Sequence, residues 1–173
     1  SGVHVSTHCS LRAACDRAKK SRVLECIHLA HDAMKRLGLG RPHVAVAGLN
    51  PHSGEHGLFG REEIEEIIPA VEEARAEGLN VDGPVPPDTV FLKAYNGIYD
   101  IVVAMYHDQG HIPMKMMAFD TGVNVTLGLP IIRTSVDHGT AFDIAGKGIA
   151  KEDSMFSAID LGIRFAKGIC LSS

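Results

Sequence analysis

Ile101-Val102-Val103-Ala104-Met105-Tyr106-His107-Asp108-Gln109-Gly110-His111 runs from unbroken apolar residues into a polar, histidine-bearing end. A short run that is apolar at every position, rather than at alternate ones, is the pattern of a strand covered on both faces, as in a parallel sheet. The pattern recurs upstream. Residues 43–49 read as a second buried strand, ending in the turn Asn50-Pro51-His52-Ser53-Gly54-Glu55. Residues 3–7 alternate apolar and polar side chains and read as a third strand, which delivers His8.

Helical patterns separate these strands. In residues 16–37, Val23, Leu24, Ile27, Ala30, Met34 and Leu37 share one face at spacings of three and four, and Gly38 closes the helix. Residues 61–77 form a second helix with the stripe Ile64, Ile67, Ile68, Val71 and Ala74, and its glutamates face water. Pro69 inside it predicts a kink or a split. Residues 82–88, rich in Pro and Gly, read as a rigid loop. Residues 122–127 and 131–135 are further strands. A last helix spans 154–166, with Phe156, Ile159, Ile163 and Ala166 as its apolar face. Strand and helix alternate over short connections, which predicts one α/β domain over residues 1–173, with a mostly parallel sheet flanked by helices. A first strand already under way at residue 3 is read as a domain whose upstream part lies outside this sequence.

Composition narrows the function classes. The net charge is −4 and no basic run occurs, which argues against nucleic acid as a partner. No apolar stretch has the length of a membrane span. Cys9, Cys15, Cys26 and Cys170 form no C-x-x-C pair and read as reduced thiols of a cytoplasmic protein. Trp is absent, so no aromatic platform for bases or sugars is evident.

Ligands of parallel sheets bind beyond the carboxyl ends of the strands. His8, His52 and His107 each follow a strand, so the fold can place them on one edge. Three imidazoles on one divalent cation would leave positions open for a substrate, which is a catalytic arrangement. The plainer reading of any one of them is a hydrogen-bonded loop residue, and no compact ligand motif decides the matter. His107 and His111 would pair at i, i+4 on a helix, but Gly110 between them argues for a loop. Asp108 and Asp137 are candidates to hold a ligand imidazole in its tautomer; Asp108 alternatively caps a helix. Lys115, Asn124 and Arg133 would suit an anionic, hydroxyl-bearing substrate. Each has an alternative reading as a snorkelling lysine, a strand-end amide and a buried ion pair. Residues 137–150 are Gly-rich but carry neither G-x-G-x-x-G nor the Walker pattern, a weak nucleotide signal.

The motifs Gly48-Leu49-Asn50-Pro51-His52, Met105-Tyr106-His107-Asp108-Gln109-Gly110 and Arg133-Thr134-Ser135-Val136-Asp137-His138-Gly139-Thr140-Ala141 resemble the 4-hydroxythreonine-4-phosphate dehydrogenase family. Thr7-His8 with Leu11-Arg12 fits its first metal-binding segment. The resemblance covers the second half of the family. It implies one half of the isocitrate and isopropylmalate dehydrogenase-like fold. It also implies a divalent metal (zinc, magnesium, manganese or cobalt) on His8, His52 and His107, shared across a homodimer. Lys115, Asn124 and Arg133 then bind substrate, with Lys115 and Asp108 as the catalytic candidates. His138, Gly139, Thr140 and Asp143 bind NAD or NADP, although Phe142 stands where the related dehydrogenases usually carry proline. The implied reaction is oxidation, with decarboxylation, of 4-phosphohydroxy-L-threonine in pyridoxal phosphate biosynthesis. The segments 5–12 and 143–146 resemble the second-type branch, which implies 4-phospho-D-threonate or D-erythronate instead. A metal-binding piece without catalysis and a metal-dependent hydrolase are the rival readings.

Overall fold

The computed structural model describes residues 1–118, 122–137, 139–140 and 142–168. Its sheet contains β1 (Gly2–His4), β2 (His43–Ala47), β3 (Asn80–Val85) and β4 (Ile101–Ala104), in the order β1-β4-β2-β3. Every pairing is parallel. The alternating side chains of these strands divide between two apolar layers. Val44, Val46, Ile101 and Val103 pack with Val23, Ile27, Ala30 and Met34 of α2 (Lys20–Arg36) and with Val71 and Ala74 of α3 (Ile68–Ala76). Ala45, Ala47, Val102 and Ala104 pack on Val90 and Phe91 of α4 (Pro87–Tyr95). Small residues on the second face let α4 lie close to the sheet. The α/β reading therefore holds.

Local details differ from the sequence reading. The first helix is two. α1 (Leu11–Arg17) is capped by Ser10, whose Oγ accepts from Ala13 N at 3.2 Å, and α2 restarts at Lys20. Glu66 supplies the cap of α2 from another element, accepting from Lys20 N at 2.7 Å and Lys19 Nζ at 3.0 Å. At the far end Gly38 takes φ +95°, and the amides of Gly38 and Leu39 bond back to Lys35 O and Met34 O. This left-handed cap needs glycine to avoid a Cβ clash. The 82–88 loop is instead the end of β3 and the start of α4. β3 is an edge strand, where the missing N–H of Pro84 is tolerated, and Pro87 opens α4 where its N–H would be unpaired anyway.

Residues 107–118 are helical as α5 (His107–Ala118), which overturns the loop expected around Gly110. The reason is packing. A Cβ on Gly110 would fall inside the contact surface of the His4 imidazole, so glycine lets the helix lie against β1. Beyond it, β5 (Val123–Thr126) and β6 (Arg133–Val136) form a separate antiparallel hairpin. α6 (Asp153–Lys167) packs on that hairpin, but not by the expected face. Phe156, Ile159 and Ile163 are exposed, whereas Ala158 is buried and Leu161 and Phe165 pack toward the core. Ala158 O accepts from Thr134 Oγ1 at 2.8 Å, and Gly162 leaves room for the same threonine.

The second helix opens as a wide π turn (Glu63–Ile67), with Ile68 N–H bonding to Glu63 O, and runs on into α3. Pro69, which has no N–H to give, sits in the first turn of α3, where the ordinary spacing begins. The turn leaves Ile64 exposed and buries Glu63 to 1% exposure. The Glu63 Oε1 atom accepts from Leu49 N at 2.8 Å and Asn50 N at 2.7 Å; Oε2 accepts from Asn50 Nδ2 at 2.9 Å. Gly54 passes so close that a Cβ there would lie 2.6 Å from Oε2. Glu63 is thus the template on which the loop after β2 is folded. In Glu63→Ala three N–H donors lose their acceptor, at ~1–3 kcal/mol each if left buried. We expect urea denaturation to show a loss of ~3 kcal/mol or more, with faster amide exchange at Leu49 and Asn50. A loss below ~1 kcal/mol would show that water replaces the carboxyl group freely.

Candidate functional site

β1, β4 and β2 are neighbours and run parallel, so their carboxyl ends share one edge. His8, His107 and His52 follow these ends, as the sequence predicted. Side chains tie the strand ends together. Ser6 Oγ donates to Met105 O at 2.9 Å. Gln109 spans two strands: Nε2 donates to Gly48 O at 2.8 Å and Oε1 accepts from Met105 N at 2.7 Å.

His107 begins α5, directly after β4. Its Nδ1 lies 2.7 Å from Asp108 Oδ1. With Nδ1–H donated to Asp108, the Nε2 lone pair is left for a cation, which is the role expected of Asp108. The His8 ring lies 5.8 Å from the His107 ring, centre to centre. His52 sits on a turn, Pro51–Gly57, in which His52, Ser53, Gly54, Glu55 and His56 all have positive φ. Its ring is exposed, with Phe59 at 6.2 Å. Among the described residues of this single chain, no three His, Cys, Asp or Glu side chains converge on one point that would hold a cation. Two imidazoles, that of His107 with its tautomer set by Asp108, fit part of a metal site; among the described residues the third donor does not come from their immediate surroundings.

The substrate candidates separate. Lys115, exposed on α5, lines a cavity of about 970 Å³ together with Asp137, Gly139, Met114, Phe91 and Ile149. Arg133 lines another, of about 430 Å³, with Asp32, Arg36 and Phe165. Asn124 and Arg133 share one face of the β5–β6 hairpin, both exposed, and Arg133 Nη1 donates to Thr126 Oγ1 at 2.8 Å. Of the nucleotide candidates, Gly139 lines the larger cavity, Thr140 is exposed beside it, and Asp143 is exposed in the turn that follows. His138 lies outside the described residues, as do Ala141 and Cys170. No described helix is long and apolar enough to cross a membrane.

Three residues of this edge escaped the sequence reading. Glu63 looked like one more solvent-facing glutamate of a helix. Gln109 was read only as part of a motif. His4 is the third. Its ring lies 4.6 Å from that of His111, which in turn stacks on His107 at 4.0 Å with planes 7° apart. Burial, and then the His111 and His107 rings, push the His4 imidazole down to about 4, with Asp137 opposing.

Comparison with known proteins places this geometry. Residues 1–162 match the family described as pyridoxal phosphate biosynthetic protein PdxA. The D-threonate 4-phosphate dehydrogenase of Salmonella typhimurium is 57% identical over 164 residues, which are 95% of this chain and 50% of that protein. The 4-hydroxythreonine-4-phosphate dehydrogenase of Beijerinckia indica is 56% identical over 94% of this chain and 48% of its own length. The crystal structure of a Klebsiella pneumoniae 4-hydroxythreonine-4-phosphate dehydrogenase superposes with a TM-score of 0.87 at 55% identity, over 95% of this chain and 50% of that one. The chain spans about half the length of the curated relatives it matches. With the match running from its first residue to within α6, the chain belongs to the PdxA family.

Proposed function

We propose that this chain is the metal- and substrate-binding half of a nicotinamide-dependent dehydrogenase acting on a 4-phosphorylated, four-carbon hydroxy acid. The observation that carries the proposal is the His8–His107 pair at the carboxyl edge, with Asp108 setting the His107 tautomer. The third ligand, His52, would come from a second copy of the chain, in a two-fold homodimer with an isologous interface. This agrees with the strained, exposed turn that carries it. The names of the relatives support the substrate class. The D-threonate 4-phosphate reading is favoured by the Salmonella relative and by the resemblance of segments 5–12 and 143–146 to the second-type branch.

When bound, the cation would polarise the alcohol being oxidised and the nicotinamide would accept the hydride. The chain's own residues do the rest. Arg133 and Asn124, on one hairpin face, bind the anionic and hydroxyl groups of the acid. Lys115, at the cavity mouth, moves a proton as the β-keto acid loses carbon dioxide. Asp108 keeps the His107 imidazole oriented. Phe91, Met114 and Ile149 give the larger cavity apolar walls beside Lys115, and Gly139 admits a nucleotide close to the backbone.

Assays with D-threonate 4-phosphate and 4-phosphohydroxy-L-threonine side by side, with NAD or NADP and each divalent cation, test the reading. We expect turnover with the first to exceed that with the second. Turnover of neither would leave a non-catalytic metal-binding chain.

Metal retention is a separate test. His52→Ala and His107→Ala should each lower cation affinity by at least the ~10–100-fold seen for groups that only orient a ligand, with circular dichroism unchanged. Chelator should shift the dimer toward monomer in sedimentation, because a cation held between subunits stabilises the dimer by mass action. Mixed dimers of the two variants should regain one intact site. A chelator-resistant monomer that keeps its metal would overturn the shared site.

Arg133→Ala should raise KM for the phosphorylated acid ~10–100-fold, the value of a charged hydrogen bond, without lowering the melting temperature. Unfolding with normal kinetics in the surviving fraction would make Arg133 a structural residue.

A further inference from the structure

Four imidazoles stand in a row at the carboxyl edge. The ring centres are 5.8 Å apart from His8 to His107, 4.0 Å from His107 to His111 and 4.6 Å from His111 to His4. The two inner rings, His107 and His111, belong to α5, and the two outer ones, His4 and His8, to β1 and the segment after it. Two of the rings, His111 and His4, are set by the backbone beside them. His111 Nδ1 donates to His107 O at 3.2 Å, so its plane is fixed against the first turn of α5. His4 sits opposite Ala104 in the sheet and reaches α5 only because Gly110 has no side chain. His4 Nε2 is buried with no hydrogen-bond partner among the described residues. Its polar edge is spent on packing, and the imidazole stays neutral because burial disfavours its charged form.

The hydrogen bond from Nδ1 to Asp108 fixes the tautomer of His107 but leaves its ring free to swing about that contact. The parallel face of His111 stops the swing. His4 backs His111 in turn and wedges α5 at one distance from β1. We propose that His111 and His4 are positioning residues, which hold the His107 ring and the His8 segment at the mutual spacing a shared cation requires. The proposal rests on the reading of His8 and His107 as ligands. A second metal site at His4 and His111 does not follow, because His4 Nε2 is pressed against Gly110 and His111 Nδ1 is already given to His107 O.

The test is the affinity of the full chain for Co²⁺ and Zn²⁺, by competition with a chromophoric chelator, together with the visible absorption bands of the Co²⁺ form. His111→Ala and His4→Ala should each weaken binding ~10-fold or more, the range typical of groups that orient a ligand, and shift the cobalt bands. His111→Phe keeps a flat face without nitrogens and should stay within ~3-fold of the parent, with its bands intact. Should His111→Ala fail to fold, His111→Gln, which lacks a flat ring, carries the same expectation. A structural role alone would lower the melting temperature of the metal-free protein without moving the cobalt bands. Parent affinity and parent bands in His111→Ala would overturn the proposal. So would equal losses in His111→Phe and His111→Ala. Full affinity in His107→Ala would instead overturn the ligand reading on which it stands.

Discussion

Backbone amides and carbonyls run out of strand partners at the carboxyl edge of a parallel sheet, and everything else about this site depends on how that shortage is met. A buried peptide group without a partner is costly, so each must be satisfied by a side chain brought from elsewhere. Glu63 takes the amides of Leu49 and Asn50, Gln109 takes Met105 N and Gly48 O, and Ser6 takes Met105 O. These polar residues do structural work in the places where a functional reading of the sequence would first look for chemistry. Their service frees the histidines beside them. His8, His52 and His107 need not hold the loops together, so their ring nitrogens can serve a ligand.

The strand pattern was legible because burial on both faces leaves a plain signature: residues 101–104 and 44–47 are fully buried in the fold, and each leads into a histidine. Composition misled where tertiary packing overrode it. Gly110 signalled a loop, but the missing side chain is what lets a helix press on His4, a contact across more than 100 positions that no local window contains. Pro84 and Gly83 signalled a loop and lie on an edge strand, where a proline costs little. In α6 the larger apolar residues were assigned to the core, yet the hairpin is approached through Ala158 and Gly162, since small residues permit the closer contact. The burial of Glu63 was invisible because it follows from a π turn, and one residue of altered spacing moves a whole stripe around the helix.

The site itself divides in the same way. The grouping of His8 with His107, and of Asp108 with His107, followed from strand ends and adjacency. Lys115 and Arg133 were grouped by chemical type, and the chain gives them separate cavities, one against α4 and α5 and one between α2 and the hairpin. A substrate that touches both must therefore bridge surfaces carried by different supersecondary units, and its reach, more than any single contact, would set which acids fit.

The turn that carries His52 has a consequence for heredity as well as for geometry. Left-handed backbone costs an ordinary residue about 1–2 kcal/mol, and five successive residues adopt it here, four of them not glycine. Such a run acts as a filter on variation. At positions 52, 53, 55 and 56 a β-branched substituent is disfavoured by handedness alone, whatever its chemistry, whereas asparagine, aspartate and glycine are admitted. Gly54, pressed against the Glu63 carboxyl group, is barred from change on spatial grounds too. The range of replacements that this segment accepts is thus set by its backbone before any demand of a ligand, and sequence drift through it would follow a narrow corridor of left-handed-compatible residues.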